Sequence, residues 1–320
     1  MNPITQHSTP QSMLERMMLI RAYEEQLAAL HAEGKAAGTC TSVGQEASAV
    51  GVVAALSAED SILTNHRSAG HLLARGADPG RMMAEVLGRS TGYCKGKSGS
   101  LHISVKELGV LLTSTIVGGE LSLAPGVALS NTMLGRPGIV ACFFGDGAAC
   151  EGVFHESLNL AAVWKLPILY ICENNQWQAF VHRKETMVAD HVSVHGGGYG
   201  IASRTVDGND VEAVRGAAVE AVATIRETGK PFLLETYTYR LRGHFEPDDQ
   251  SYVDPAELER WRERDPIALM RQRLHNSDQL SVDQLQEMQA RVQAAIEQAL
   301  EFANASPVPD LSELTTDIYA

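Results

Sequence analysis

Residues 139–175, IVACFFGDGAACEGVFHESLNLAAVWKLPILYICENN, decide the fold. The run 139–144 is continuously apolar, 151–164 has helical periodicity and 167–172 is apolar again, which spells β-α-β. Such a unit joins two parallel strands by a right-handed crossover. A helix over 210–226 and a strand over 232–239 repeat the alternation. The expected class is therefore α/β, a doubly wound, mainly parallel sheet flanked by helices.

Outward from this centre, apolar residues recur at helical spacing over 13–31, with Gly34 placed to end that helix, and a second helix is expected over 45–56. A short strand is expected around Ile62 and Leu63, a loop over 65–70, and a helix capped by Asp78-Pro79 that reaches Leu87. Residues 92–100 read as a glycine- and lysine-rich loop. The stretch 255–305 is charged and helical, and reads as a surface or interface appendage. No repeat or flexible linker divides the chain, so one domain is expected over 1–320. It would have a helical arm (about 1–60), an α/β core (about 61–245) and a C-terminal helical region (about 246–320).

With 320 residues, 44% of them hydrophobic, the chain can bury a large core. A formal net charge of −13 without a long acidic run argues against nucleic acid or an anionic membrane as partner. The five cysteines include no C-x-x-C pair and read as reduced thiols of a cytoplasmic protein. The N-terminal MNPITQHSTPQS carries no signal core, and no segment approaches the roughly 18 apolar residues of a membrane span.

Gly145-Asp146-Gly147 follows the first strand of the β-α-β unit and Glu173-Asn174-Asn175 the second, so both sit where open α/β sheets bind ligands. Asp146 and Asn175 are 175 − 146 = 29 positions apart, and the intervening helix returns the chain so that they lie side by side. A carboxylate and an amide oxygen suit magnesium, which completes its octahedron with phosphate oxygens and water. The flanking glycines let the backbone approach a phosphate, and the following helix N-terminus favours an anion. Either motif alone reads as an ordinary turn or helix cap; the two on one unit point to a site. A dinucleotide fingerprint fails at Cys150, and a P-loop reading fails at Thr91.

Gly145-Asp146-Gly147 with Asn175 resembles the thiamine diphosphate signature, and the whole 145–175 string is similar to the alpha subunits of 2-oxo acid and acetoin dehydrogenases. Gly44-Gln45-Glu46-Ala47, the block 64–70, GYCKGKSGSLH (92–102), Ile116-Val117-Gly118, Val206-Asp207-Gly208 and YRLRGHF (239–245) match that family in order. The resemblance implies that Asp146, the Asn175 side-chain oxygen and the Trp177 backbone carbonyl ligate magnesium. It also implies that His66 and Arg67 contact the diphosphate, Arg67 through a guanidinium able to pair bidentately with phosphate oxygens. By the same likeness Gly147 and Ala148 approach the diphosphate through the backbone, and Ile116 and Val117 line the organic rings. His244 would sit beside the reacting centre, imidazole being suited to proton transfer near neutral pH. Arg67 in a surface ion pair, and Ile116 and Val117 as ordinary core, are the structural alternatives.

The resemblance further implies a beta subunit that supplies the glutamate activating the cofactor, an α2β2 assembly, and transfer of the acyl or aldehyde unit to a lipoyl-bearing acyltransferase. Two departures bear on substrate. Family members commonly carry a histidine just before Gly-Gln-Glu-Ala, where this chain reads Gly38-Thr39-Cys40-Thr41-Ser42-Val43, and the run 176–180 (QWQAF) is bulkier than usual. The leading reading is a lipoamide-linked dehydrogenase acting on acetoin, pyruvate or a related 2-oxo substrate. A carboligase or acyl transferase with another acceptor, and a noncatalytic scaffold subunit, are the alternatives.

Overall fold

The computed structural model describes residues 9–318; the N-terminal residues 1–8, expected to hold no targeting signal, lie outside them. Among the described residues eight strands occur: β1 (Ser61–Asn65), β2 (Val110–Ser114), β3 (Val140–Gly145), β4 (Ile168–Asn174), β5 (Trp177–Gln178), β6 (Val181–His182), β7 (Ala202–Asp207) and β8 (Phe232–Tyr237). Six of them form one sheet in the order β2-β1-β3-β4-β8-β7, and every neighbouring pair is parallel. β5 and β6 make a separate antiparallel ribbon just after β4.

The helices are α1 (Pro10–Ala32), α2 (Glu46–Val53), α3 (Ala69–Arg75), α4 (Pro79–Val86), α5 (Gly119–Met133), α6 (Gly152–Trp164), α7 (Val211–Thr228), α8 (Pro255–Arg262), α9 (Pro266–Asn276) and α10 (Val282–Ala305). Their starts follow from local chemistry. Thr9 caps α1 by accepting from Ser12 N, Asp78 caps α4 from Arg81 N, Asp210 caps α7, and Ser281 with Gln284 forms a reciprocal capping box on α10. Pro10 and Pro79 stand just inside their helices, where a missing N–H is harmless.

Although β3 and β4 read as unbroken apolar runs, their side chains alternate between two cores. Ala141 and Phe143, with Leu169 and Ile171, face the cluster built with α1, α2 and α7. Val140, Cys142 and Phe144, with Ile168, Tyr170 and Cys172, face α5 and α6. All are fully buried, and each large side chain among them contributes roughly 2 kcal/mol of transfer free energy. α2 lies hard against α7: a Cβ on Gly51 would come 2.7 Å from the Val214 side chain, so only glycine allows this approach.

The C-terminal helices are more than an appendage. α10 packs on α4 and α1, and Met270, Leu274, Met288, Ile296 and Ala303 belong to the same cluster as α1 and α2. Their charged outer faces hid an apolar stripe. The expected loop 65–70 is also corrected, since its last two residues begin α3. β2, β7 and α5 had no sequence expectation. β2 and β7 are the sheet edges, and β7 (ASRTVD) is mostly exposed; α5 contains Pro125, which masks its period. Among the described residues no helix is long and apolar enough to cross a membrane.

β1 and β3 are neighbours, but the chain leaves β1 toward one edge and β3 toward the other. Their carboxyl ends therefore open a crevice, the usual ligand position in such sheets. The opposite rim is held by Asp60, which accepts from Ser57 N (2.7 Å), Ile139 N (2.9 Å) and Arg226 (2.8 Å) while buried to 1% exposure. Asp60→Ala leaves those donors unpaired. It should lower unfolding stability by about 3 kcal/mol, read as a fall in the denaturation midpoint, without weakening ligand binding at the distant crevice.

Candidate cofactor site

The crevice between the carboxyl ends of β1 and β3 widens into a cavity of about 510 Å³. His66, Arg67, Ile116, Val117, Asp146, Gly147, Ala148, Asn175, Trp177 and His244, the ten positions singled out from the sequence, all line it. They come from five separate segments: the turn after β1, the entry to α5, the turn after β3, and the segments that follow β4 and β8.

Asp146 and Asn175 are side by side, because β3 and β4 pair in register with Gly145 opposite Glu173. The Asp146 carboxylate is buried, and its Oδ2 has no hydrogen-bond partner in the protein. Burial is the main cause that pushes this carboxyl up to about 6. Asn175 Nδ2 donates to Gln45 Oε1 (3.1 Å), which fixes the amide so that Oδ1 accepts from Trp177 N (3.1 Å). That turn, with Gln176 at φ +73°, sends the chain into the β5-β6 ribbon, and the Trp177 indole is held by Tyr239 Oη (2.9 Å). An amide oxygen has two lone pairs, so Asn175 Oδ1 keeps one for a ligand. Among the described residues no three His, Cys, Asp or Glu side chains form a metal-binding cluster. A cation here would rest on one carboxylate and neutral oxygens, a donor set that suits magnesium and leaves positions for phosphate.

Arg67 is buried and does not form a surface ion pair. Its guanidinium donates to Thr41 O (2.8 Å), His244 O (2.9 Å) and His244 Nδ1 (3.0 Å). Because arginine has no acceptor, Nδ1 of His244 must be the unprotonated nitrogen, and the ring proton sits on Nε2. Burial, then Arg67 and Arg240, pull the His244 pKa down to about 4; burial, then Arg67 and His244, pull His66 down to about 3. Both rings are neutral at pH 7 in the ligand-free chain, so each would meet a phosphate as an N–H donor rather than as a cation. Ile116 and Val117 are 72% and 52% exposed. That excludes ordinary core packing and leaves one side of the cavity uncovered.

Several residues in or behind the cavity wall were given no individual role by the sequence reading. Glu173 is buried and accepts from Ser48 Oγ (3.0 Å) and His71 Nε2 (3.1 Å), which braces the β4 rim. Arg240, 1% exposed, donates to Ala179 O and Tyr252 Oη and approaches His244 Nδ1 (3.5 Å); the YRLRGHF block contained it without revealing its role. Cys40 and Cys150 both line the cavity, Cys40 in the segment without a histidine. Glu120 is 1% exposed at the start of α5, with Oε2 unpartnered. Nothing in the sequence marked it, because the helix it opens was not itself legible.

A parallel sheet with a cavity at its switch point, lined by the buried carboxylates of Glu120, Asp146 and Glu173, places a ligand-sized site on an α/β domain. The dehydrogenase E1 component family matches residues 15–312, and the chain belongs to that family. It is 41% identical over 309 residues to the alpha subunit of acetoin:2,6-dichlorophenolindophenol oxidoreductase from Bacillus subtilis (strain 168), covering 96% of this chain and 92% of the relative. It is 40% identical over 304 residues to the pyruvate dehydrogenase E1 component subunit alpha of Rhizobium meliloti (strain 1021), covering 94% and 87%. The acetoin:2,6-dichlorophenolindophenol oxidoreductase alpha subunit of Cupriavidus necator is 37% identical over 310 residues, covering 96% and 93%.

Burial pushes the Glu120 carboxyl up to about 7, above its ordinary value near 4.5. A raised folded-state pKa means the native chain holds the proton longer than the unfolded one. Glu120 therefore weakens the fold progressively as pH rises from about 4.5 to 7. Glu120→Gln, a neutral isostere, should be more stable than the parent by about 3 kcal/mol at pH 8 and nearly equal to it at pH 4, measured by denaturant melts at the two pH values.

Proposed function

We propose that this chain is the alpha half of a thiamine diphosphate- and magnesium-dependent enzyme that cleaves acetoin, pyruvate or a related 2-oxo substrate. The observation that carries the proposal is the buried, unpartnered Oδ2 of Asp146 beside Asn175 at the sheet's switch point. Leaving such an oxygen without a donor costs about 1–3 kcal/mol or more, a loss that a bound cation removes. A noncatalytic scaffold would gain nothing from it.

Asp146, Asn175 Oδ1 and the Trp177 carbonyl would hold magnesium. Gly147 and Ala148 would receive the diphosphate through the backbone, and His66 with the remaining donors of Arg67 would close on it. Ile116 and Val117 would flank the rings. Thiamine diphosphate, when bound, supplies addition to a carbonyl carbon and an electron sink for the bond that breaks. His244 would present its Nε2 proton to the reacting oxygen and take it back, its other nitrogen fixed by Arg67. An anion bound beside Arg67 would offset the charge that now depresses the histidine, bringing its pKa toward the working range.

The uncovered side of the cavity supports an obligate partner. Ile116 and Val117 line the site while exposed, and Phe180, edge-on to His244 at 5.5 Å between ring centres, is 52% exposed. A beta subunit supplying the activating glutamate, in an α2β2 assembly, fits this half-built wall. Thiamine diphosphate should therefore bind the chain alone at least about tenfold more weakly than the chain with its beta partner, a ratio that calorimetry measures directly.

Identities of 41% and 40% do not separate acetoin from pyruvate. Transfer to a lipoyl-bearing acyltransferase is the leading reading of the second half-reaction. The carboligase or acyl-transfer reading is favoured by one observation: in the segment 38–43 Cys40 reaches the cavity, and among the described residues the lining histidines are His66 and His244. Turnover of the co-expressed subunits with lipoamide supports the first; turnover only with aldehyde or ketone acceptors supports the second.

Asp146→Ala removes the single carboxylate of the donor set and makes no core void. Magnesium-dependent binding of thiamine diphosphate to the assembled subunits should fall by about 100-fold or more, with the circular dichroism spectrum retained. Unchanged affinity contradicts the ligand assignment.

A further inference from the structure

Residues 38–44 form a strap between α1 and the segment that carries His244. On the outer side Glu24 of α1, 1% exposed, accepts Ser42 N (2.9 Å) and Ser42 Oγ (2.8 Å) on one oxygen. On the inner side four carbonyls of the strap are taken: Thr39 O accepts from Glu246 N (2.9 Å), Val43 O from Leu241 N (3.2 Å), Thr41 O from Arg67 (2.8 Å) and Gly44 O from Thr238 Oγ1 (3.1 Å). The first and second hold the chain on either side of His244, and the third holds the arginine that donates to its ring. Contact is too close for any side chain at Gly38, where a Cβ would lie 2.1 Å from Glu246 O.

Glu24 touches none of the cavity-lining residues through a hydrogen bond of its own, yet both bonds to Ser42 pull on this strap. Without them the strap has no side-chain anchor on α1, and the carbonyls that position Arg67 and the His244 segment lose their fixed frame. We propose that Glu24 is a positioning residue for His244, acting through the strap to hold Arg67 against the imidazole. The proposal rests on the reading of His244 as a group that acts on the reacting centre. Its working element is the pair of hydrogen bonds rather than the charge, because an amide oxygen accepts the same two donors.

A double-mutant cycle on the assembled alpha and beta subunits tests it. Glu24→Ala should lower kcat/KM by about tenfold in the parent and by less than about twofold when His244→Ala is already present, whereas Glu24→Gln should stay near the parent. A crystal structure of the Glu24→Ala assembly should show the Arg67 to His244 Nδ1 contact broken. Equal losses in both backgrounds, or an unchanged contact, overturn the proposal. If His244→Ala alone leaves the rate unaltered, the reading of His244 fails instead, and the crystal structure decides the positioning claim by itself. Should Glu24→Ala not assemble, Ser42→Ala removes one of the two bonds and enters the same cycle, with the same non-additivity expected.

Discussion

The structure turns on a carboxylate that the fold keeps out of water without giving it a complete set of partners. Asp146, which lines the cavity, is at the end of a strand buried on both faces, its position fixed by the pairing of β3 with β4, and one of its oxygens is buried with no protein donor. A globular domain tolerates such a group only where something else completes it. Its neighbours are arranged to suit: Gln45 orients the Asn175 amide, and the turn that amide makes sets the β5-β6 ribbon.

Around that point the two rims of the sheet divide the labour. At the amino ends Asp60 satisfies backbone and side-chain donors completely, and serves stability. At the carboxyl ends polar groups are left with spare capacity: Asp146 Oδ2, Glu120 Oε2, and the Nε2 proton of a His244 kept neutral by burial and two arginines. The cavity is also open where Ile116 and Val117 stand exposed. The proposed beta partner would cover that open side.

Much of this was legible in the sequence because the central signals are strong. Two apolar runs with a helix between them specify parallel strands, and Gly145-Asp146-Gly147 and Asn175 at their ends fall where the sheet opens. Edge strands were not legible, since β7 is covered on little of its surface and so carries few apolar residues; α5 was hidden by Pro125. Nor could spacing show that Arg67 commits much of its fork to Thr41 and His244, or that this depresses a histidine expected to work near neutral pH. Those are contacts between segments up to 177 positions apart, which no local pattern encodes. Glu120 had no reading in the sequence, and only its burial in the cavity wall sets it apart.

The measurement closest to the central claim is the anomalous diffraction of manganese, substituted for magnesium, in crystals of the assembled subunits grown with thiamine diphosphate. The account predicts one peak within about 2.3 Å of both Asp146 Oδ2 and Asn175 Oδ1, bridging to the diphosphate. A cofactor bound with its metal elsewhere, or with no metal between it and these two side chains, would contradict it.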